Sequence, residues 1–298
     1  MHNSLSFINN LFFKGSFLEI IETAKDLKEF SRNFKEKNPH KSIGLVPTMG
    51  ALHNGHLALI ENSKKMCDCT IVSVFVNPTQ FGENEDFDKY PRKKEADISV
   101  CEKAGVDILF MPQVSEMYPF SKDLQIGFKA PSAMANVLEG KVRPEHFDGV
   151  LQVVLKLFCL TQANKVFFGK KDAQQLLIIQ KMVEDLFLPL TIITCPIVRS
   201  KEGLALSSRN AYLSAEGKKN ALKISQSLHT ASKIIMQGIV DCNKIKEAAL
   251  SVLEGLEVEY FEIVDRNLQR QKEIQKDSSL ILVVVKVEGV RLLDNLWI

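Results

Sequence analysis

A chain of 298 residues is long enough for about two domains. With 45% hydrophobic and 25% charged residues it has the make-up of an ordinary soluble globular protein. Its 38 basic and 36 acidic residues are spread along the chain to a net charge of +2, which gives no reason to expect nucleic-acid binding as its main task.

The first seventeen or so residues carry Leu11-Phe12-Phe13 but no basic segment ahead of a long apolar core, so they do not read as a signal peptide; a frayed terminus is expected there. The most informative stretch follows at residues 43–60. A short apolar strand (43–46) runs into a turn punctuated by Pro47 and Gly50, and then into an apolar helical run that begins near Asn54, the expected N-cap. His53 and His56 are three residues apart, so both imidazoles can stand at the opening of that helix. Unpaired N–H groups and the positive dipole end attract phosphate there, which suits the triphosphate of a nucleotide. Two other readings compete. A metal half-site wants further ligands, and Cys67-x-Cys69 lies outside the usual structural-zinc spacing. Two satisfied structural histidines would be the default for either alone. The turn is neither Gly-x-Gly-x-x-Gly nor a Lys-containing P-loop, which disfavours a Rossmann dehydrogenase or a P-loop kinase.

Beyond it, strand-like runs at 70–76, 108–111, 165–168 and 191–198 alternate with helical ones at 57–66, 93–104, 150–161 and 173–186. The alternation predicts an α/β protein with a Rossmann-like, doubly wound parallel sheet, in which ligands sit outside the carboxyl ends of strands. Polar clusters marked by Gly or Pro follow several strands: Asn77 to Gly82, Gly169 to Gln175, and Arg199 to Asn210. Each alone is an ordinary solvated loop; together they converge on one sheet edge. Past about Ser200 the order changes, with helical runs at 215–236 and 242–253 preceding strands at 258–264, 280–287 and 290–297. That describes a smaller C-terminal α+β domain, so residues 1–198 are expected to form the Rossmann-like domain and residues 199–298 a lid domain. The charged stretch 269–277 reads as a solvated hairpin loop. Six scattered cysteines read as buried reduced thiols, and no apolar run approaches the roughly 20 residues needed to span a bilayer, so a cytoplasmic protein is expected.

The motifs together resemble the pantothenate synthetase (pantoate–β-alanine ligase) family, within the adenylyl-transferring group that carries a His-x-Gly-His element. The match runs from about Leu18 to the C-terminus. It rests on Pro47-Thr-Met-Gly-Ala-Leu-His-Asn-Gly-His56, Val76-Asn-Pro-Thr-Gln-Phe-Gly82, Tyr90-Pro-Arg92 and Val137-Leu-Glu-Gly140. It continues through Arg143-Pro-Glu-His-Phe-Asp-Gly149, Phe167-Phe-Gly-Lys-Lys-Asp172 with Gln174-Gln175, and Gly203-Leu-Ala-Leu-Ser-Ser-Arg-Asn210.

The resemblance implies a two-step ligase reaction in which pantoate attacks Mg-ATP to give pantoyl adenylate, and β-alanine then displaces AMP. It implies nucleotide-binding segments at Met49, Gly50, Ala51, Leu52, His53, Asn54, Gly55 and His56, at Gly169, Lys170, Lys171 and Asp172, at Val198, and at Leu206, Ser207, Ser208 and Arg209. His56 matches the proton donor, His53 a second phosphate donor, and Lys171 and Arg209 the holders of the β- and γ-phosphates. Gln80 and Gln175 match the pantoate-binding glutamines, neutral amides that can hold the acid without quenching its nucleophilicity. Asp97 falls where the family places a carboxylate near Mg2+; its bland reading is one more exposed acid on a Lys-rich helix. Arg143 and His146 read as structural or interface residues. Lys170 stands where many members carry an acidic or amide residue, and Leu206 replaces a common Met. The loop 203–210 is expected to close over ATP, hinged at Gly203. A homodimer is implied as well, with no membrane partner. The alternative is another His-x-Gly-His nucleotidyltransferase, which should lack the paired glutamine chemistry; a non-enzymatic nucleotide-binding regulator would keep the loops but tolerate loss of His56.

Overall fold

Runs of Val, Ile and Leu between residues 43 and 195 become parallel strands covered by helices on both faces, which is why they read as nearly continuous apolar stretches. In the computed structural model, which describes residues 18–298 apart from 83, 84 and 86, the expectations placed on residues 1–17 lie outside the described residues. The elements are β1 (Glu19–Ile21), α1 (Ala24–Lys37), β2 (Ile43–Thr48), α2 (Asn54–Met66), β3 (Cys69–Val74), α3 (Lys94–Lys103) and β4 (Ile108–Phe110). Three short helices follow, α4 (Val114–Met117), α5 (Ser132–Ala135) and α6 (Glu139–Val142), then α7 (His146–Thr161), β5 (Lys165–Gly169), α8 (Ala173–Asp185) and β6 (Thr191–Cys195). The six strands form one sheet in the order β1-β4-β3-β2-β5-β6, with every pair parallel. This is the doubly wound α/β sheet that the alternation predicts. The edge strand β1 and the helix α1 carried no signal singled out in the sequence.

The topology places the site. From β2 the chain winds outward to β3 and β4, then returns to β5 and β6 on the other side, so its direction reverses between β2 and β5. The β2–β3 ladder runs as far as Thr48↔Val74, whereas β2 and β5 pair only at Gly44↔Lys165 and Leu45↔Val166. Past Leu45 these two strands part, and a crevice opens at their carboxyl ends where the winding reverses. Gly44 allows α2 to lie directly on β2: a Cβ there would sit 2.3 Å from Ser63 Oγ.

The C-terminal part is α9 (Ala215–Met236), α10 (Cys242–Val252) and the antiparallel sheet β7 (Glu257–Val264), β8 (Leu280–Val287) and β9 (Val290–Trp297). An antiparallel strand usually alternates apolar and polar residues, but β8 reads Leu-Ile-Leu-Val-Val-Val because both of its faces are covered. Ile281, Val283 and Val285 pack with α9 and α10, while Leu280 and Leu282 join the core of the first sheet. The stretch 269–277 does connect β7 to β8, though bridges Val264↔Arg270 and Asp241↔Glu273 fasten it.

Several boundaries shift. The strand expected over 70–76 ends at Val74 and that over 191–198 ends at Cys195, because the chain leaves both ladders to line the crevice. The helix expected from Val150 begins four residues earlier, at His146. Among the cysteines, Cys69, Cys101, Cys195 and Cys242 are buried, Cys67 is half-buried and Cys159 is exposed; all are free thiols. No helix among the described residues is long and apolar enough to cross a membrane.

Candidate active site

The crevice is a cavity of about 290 Å3. Its first wall is the start of α2. The N-cap is His53, not Asn54, which is instead the first helical residue. His53 is extended (φ −136°, ψ 177°), and its Nδ1 accepts the Gly55 N–H at 3.1 Å; His56 Nδ1 in turn accepts the His53 N–H at 3.3 Å. The pair thus forms a capping box built of imidazoles, a device the Ser/Thr/Asp/Asn rule for N-caps does not anticipate. Because each Nδ1 accepts a backbone proton, each ring carries its own proton on Nε2. Burial above all, then Lys171, lowers the His53 pKa. Burial and then His53 push His56 down to about 3. At neutral pH both are uncharged imidazoles with one N–H each to offer, their rings 4.1 Å apart.

The turn ahead of them is strained and braced. Gly50 (φ 85°) and Ala51 (φ 49°) both lie in the left-handed region, where a non-glycine residue costs of the order of 1–2 kcal/mol. Asp97 on α3 holds it: its carboxylate accepts the N–H groups of Ala51 at 3.0 Å and Leu52 at 2.7 Å. The exposed-acid reading of Asp97 is overturned, since it is 2% exposed. Nor does it line the cavity, and both of its oxygens face backbone N–H groups rather than a place for a metal.

The second wall follows β5. Gly169, Lys171 and Asp172 line the cavity, and a Cβ on Gly169 would meet nothing within 4 Å, so the backbone there is open to a ligand. Lys171 Nζ stands 3.3 Å from Asp172 Oδ1. Burial raises the Asp172 carboxyl, but Lys171, helped by Arg209 and His56, outweighs it and holds the group below its usual range. Lys170 turns away, its ammonium 5.0 Å over the Trp297 ring, and it does not line the cavity.

The floor comes from the turn after β3. Gln80 is buried, and its amide is fixed: Oε1 accepts from Asn77 Nδ2 at 3.1 Å while Nε2 reaches Met49 Sδ at 3.0 Å. Asn77, quoted within a motif but given no role, also donates to Gly149 O and accepts from Tyr118 Oη at 2.7 Å. His146 donates from Nδ1 to the Gln80 carbonyl at 2.7 Å, and its Nε2 accepts from Arg143, which also pairs with Glu85. Burial, then Arg143, brings His146 down to about 4. Arg143 and His146 therefore support Gln80, and both also line the cavity. Both glutamines of α8 line the cavity, but the Gln174 amide is occupied by Glu139 N, Met134 O and Val137 O.

The third wall is the segment after β6, where Val198, Leu206, Ser207, Ser208 and Arg209 all reach the cavity. Its base is fastened. Leu206 N–H donates to Val198 O, and Arg199 donates to Gly203 O while pairing with Asp294 of β9 at 2.5 and 2.8 Å. Gly203 is held by these contacts rather than standing loose as a hinge.

The model of the family described as pantoate-beta-alanine ligase matches residues 19–297. The chain belongs to that family. It is 57% identical to the pantothenate synthetase of Wolinella succinogenes over 94% of this chain and 100% of that protein, and 49% identical to that of Helicobacter pylori strain G27 with the same coverage. Among solved structures, it is similar to the pantothenate synthetase of Thermus thermophilus, with TM-score 0.85 and 38% identity over 94% of this chain and 99% of that one. It is also similar to a pantoate-beta-alanine ligase of Francisella tularensis complexed with β-γ ATP and β-alanine, with TM-score 0.77 and 34% identity over 94% and 98%. All four of these relatives carry the name of this one ligase, and none supports the alternative of another nucleotidyltransferase.

In this ligase the cavity carboxylates are poorly placed to hold a metal by themselves. Glu139 is bound by Arg291, Asp294 by Arg199 and Asp172 by Lys171, and no group of three or more His, Cys, Asp or Glu converges among the described residues. The residues present do not form a protein-built magnesium site. Of the expected nucleotide contacts, Gly50, Ala51, Leu52, Asn54 and Lys170 do not line the cavity, and the rest do.

Proposed function

We propose that this ligase joins pantoate to β-alanine in the switch-point crevice, using ATP, through a pantoyl-adenylate intermediate. The observation that carries the reading is the convergence, in one cavity, of two neutral imidazole donors, Lys171, Gln80 from the turn after β3 and Gln175 from the first turn of α8. Pantoate is held by Gln80 and Gln175. Its carboxylate oxygen forms a bond to the α-phosphorus of ATP, and the bond to the bridging oxygen breaks, releasing pyrophosphate. His53 and His56, as neutral imidazoles, donate Nε2–H to phosphate oxygens as charge moves onto the leaving group. Lys171, Arg209, Ser207 and Ser208 grip the β- and γ-phosphates. The β-alanine amine then bonds to the acyl carbon, AMP leaves with the electron pair of the acyl–oxygen bond, and the nitrogen loses a proton. Magnesium enters with ATP as part of the substrate, carried by phosphate oxygens and water.

AMP release that requires pantoate and β-alanine together tests the reaction; AMP release indifferent to either substrate removes it. Replacing Gln80 or Gln175 by Ala should raise the KM for pantoate roughly tenfold or more, since an unpaired buried substrate hydroxyl costs about 1–3 kcal/mol, with little change for ATP. Pantoate titrations that match the wild type in both variants would move the acid pocket elsewhere.

We further place the division of labour at the 198/199 boundary, with residues 1–198 binding nucleotide and pantoate and residues 199–298 covering them. The part of the covering segment that closes is Ser207 to Arg209, beyond its fastened base; hydrogen exchange there that is equal with and without a non-hydrolysable ATP analogue would rule closure out. We read the protein as a cytoplasmic homodimer. The strip Phe120, Leu124 and Ile126, exposed by 61%, 73% and 81%, supports the second chain, and sedimentation of the full chain as a monomer would remove that reading.

A further inference from the structure

The lysine read as the phosphate holder does not sit on a self-supporting loop. β5 stops pairing with β6 at Lys170, whose N–H donates to Cys195 O at 2.9 Å, and the next peptide carbonyls have left the sheet. Two of them, Lys170 O and Lys171 O, are caught by one side chain from the far end of the chain. Asn295 of β9 donates from Nδ2 to both, at 2.9 and 2.6 Å. Trp297 Nε1 adds a longer bond to Lys170 O at 3.4 Å. Asn295 is 3% exposed and lines the cavity. Its Oδ1 has no hydrogen-bond partner, so nothing but the two carbonyls fixes which way the amide points. The neighbouring Asp294 pairs with Arg199, which binds Gly203 O at the base of the Ser207–Arg209 segment. Two adjacent residues of one C-terminal strand thus hold the backbones of two of the three cavity walls.

We propose that Asn295 is a positioning residue for adenylation: by clamping the carbonyls of Lys170 and Lys171 it sets the peptide plane from which the Lys171 ammonium reaches the phosphates. The inference rests on the reading of Lys171 as a phosphate contact. A leucine keeps the branching of asparagine at Cγ but cannot donate, so the carbonyls are free to turn toward the cavity and carry the Lys171 side chain with them. Misplacement of a positioned group by about an ångström typically costs up to a hundredfold in rate.

Single-turnover formation of pantoyl adenylate from ATP and pantoate should fall roughly ten- to a hundredfold in N295L, and less steeply in N295S, which keeps a donor of shorter reach. Conversion of separately prepared pantoyl adenylate and β-alanine to pantothenate should stay within about twofold of wild type, because that step no longer uses the β- and γ-phosphates; a general loss of folded protein would lower both steps equally. In a K171A background the same N295L change should cost less than about threefold, since groups acting through one contact are not additive. Wild-type adenylation in N295L and N295S, a parallel fall of both half-reactions, or a full multiplicative loss on top of K171A would each overturn the inference. If K171A itself adenylates at the wild-type rate, the reading of Lys171 is what fails; if K171A is crippled and N295L is not, the clamp alone fails.

Discussion

His56→Ala is expected to slow pantoyl adenylate formation by about a hundred- to a thousandfold, the usual loss when one preorganised donor to developing charge is removed. The imidazole is well suited to that task because it is neutral in the free enzyme, pushed down to about 3 by burial and then by His53, and because its Nδ1 is engaged by the His53 N–H. Its remaining proton is held on Nε2 for the ligand. The change also removes half of the reciprocal cap on α2, a loss of about 1 kcal/mol, so the variant should remain folded with a slightly lower melting temperature. Rapid-quench measurement of pantoyl adenylate, alongside the melt, separates the two effects. Adenylation near the wild-type rate would leave His56 as a helix cap and nothing more.

Asp97→Asn is expected to damage both stability and adenylation while leaving magnesium dependence untouched. An amide keeps one acceptor but turns an NH2 group toward a backbone N–H, so at least one of the two bonds to Ala51 and Leu52 is lost. A hydrogen bond to a charged group is worth about 1.5–3 kcal/mol, and for a chain of this size that lowers the melting temperature by roughly 2–5 °C. The strained Gly50–Ala51 turn then relaxes, and it leads directly into the His53 cap. The adenylation rate should fall at least tenfold at saturating magnesium, by the sensitivity of reaction geometry to small displacements. The magnesium titration decides between bracing and ligation: a ligand lost from the metal would shift its midpoint, whereas a lost brace lowers the plateau. A shifted midpoint with an unchanged melt would return Asp97 to the metal.

Much of this site was legible because its parts are local. His53 and His56 share one turn of a helix, Lys171 and Gln175 flank one helix start, and each strand announces itself by a run of apolar residues. The order of motifs was enough to indicate the family. What single residues do once packed was less legible. Asp97 looks like any surface acid on a Lys-rich helix, and its spacing contains nothing that points 46 residues back to the Ala51 N–H. Asn54 follows the N-cap rule better than His53 does, yet the imidazoles cap each other, a reciprocity that appears only when both rings are in place. The three hydrogen bonds that tie Gln174 to Glu139 N, Met134 O and Val137 O were equally hidden, because they join segments some 35 to 40 positions apart.

The sequence by itself determined the alternation of strands and helices, the change of pattern near Ser200, and the set of polar loops after the strands, since each depends on the periodicity or turn chemistry of a few consecutive residues. Only the tertiary structure decided that β2 and β5 part after Leu45 to open the crevice, that β8 is buried on both faces between two cores, and that Asn295 reaches Lys170 and Lys171 across more than 120 positions of chain. Those outcomes rest on contacts between distant segments. Their energies come from burial and from satisfying backbone carbonyls that leave a sheet, and neither leaves a mark on the local pattern of either partner.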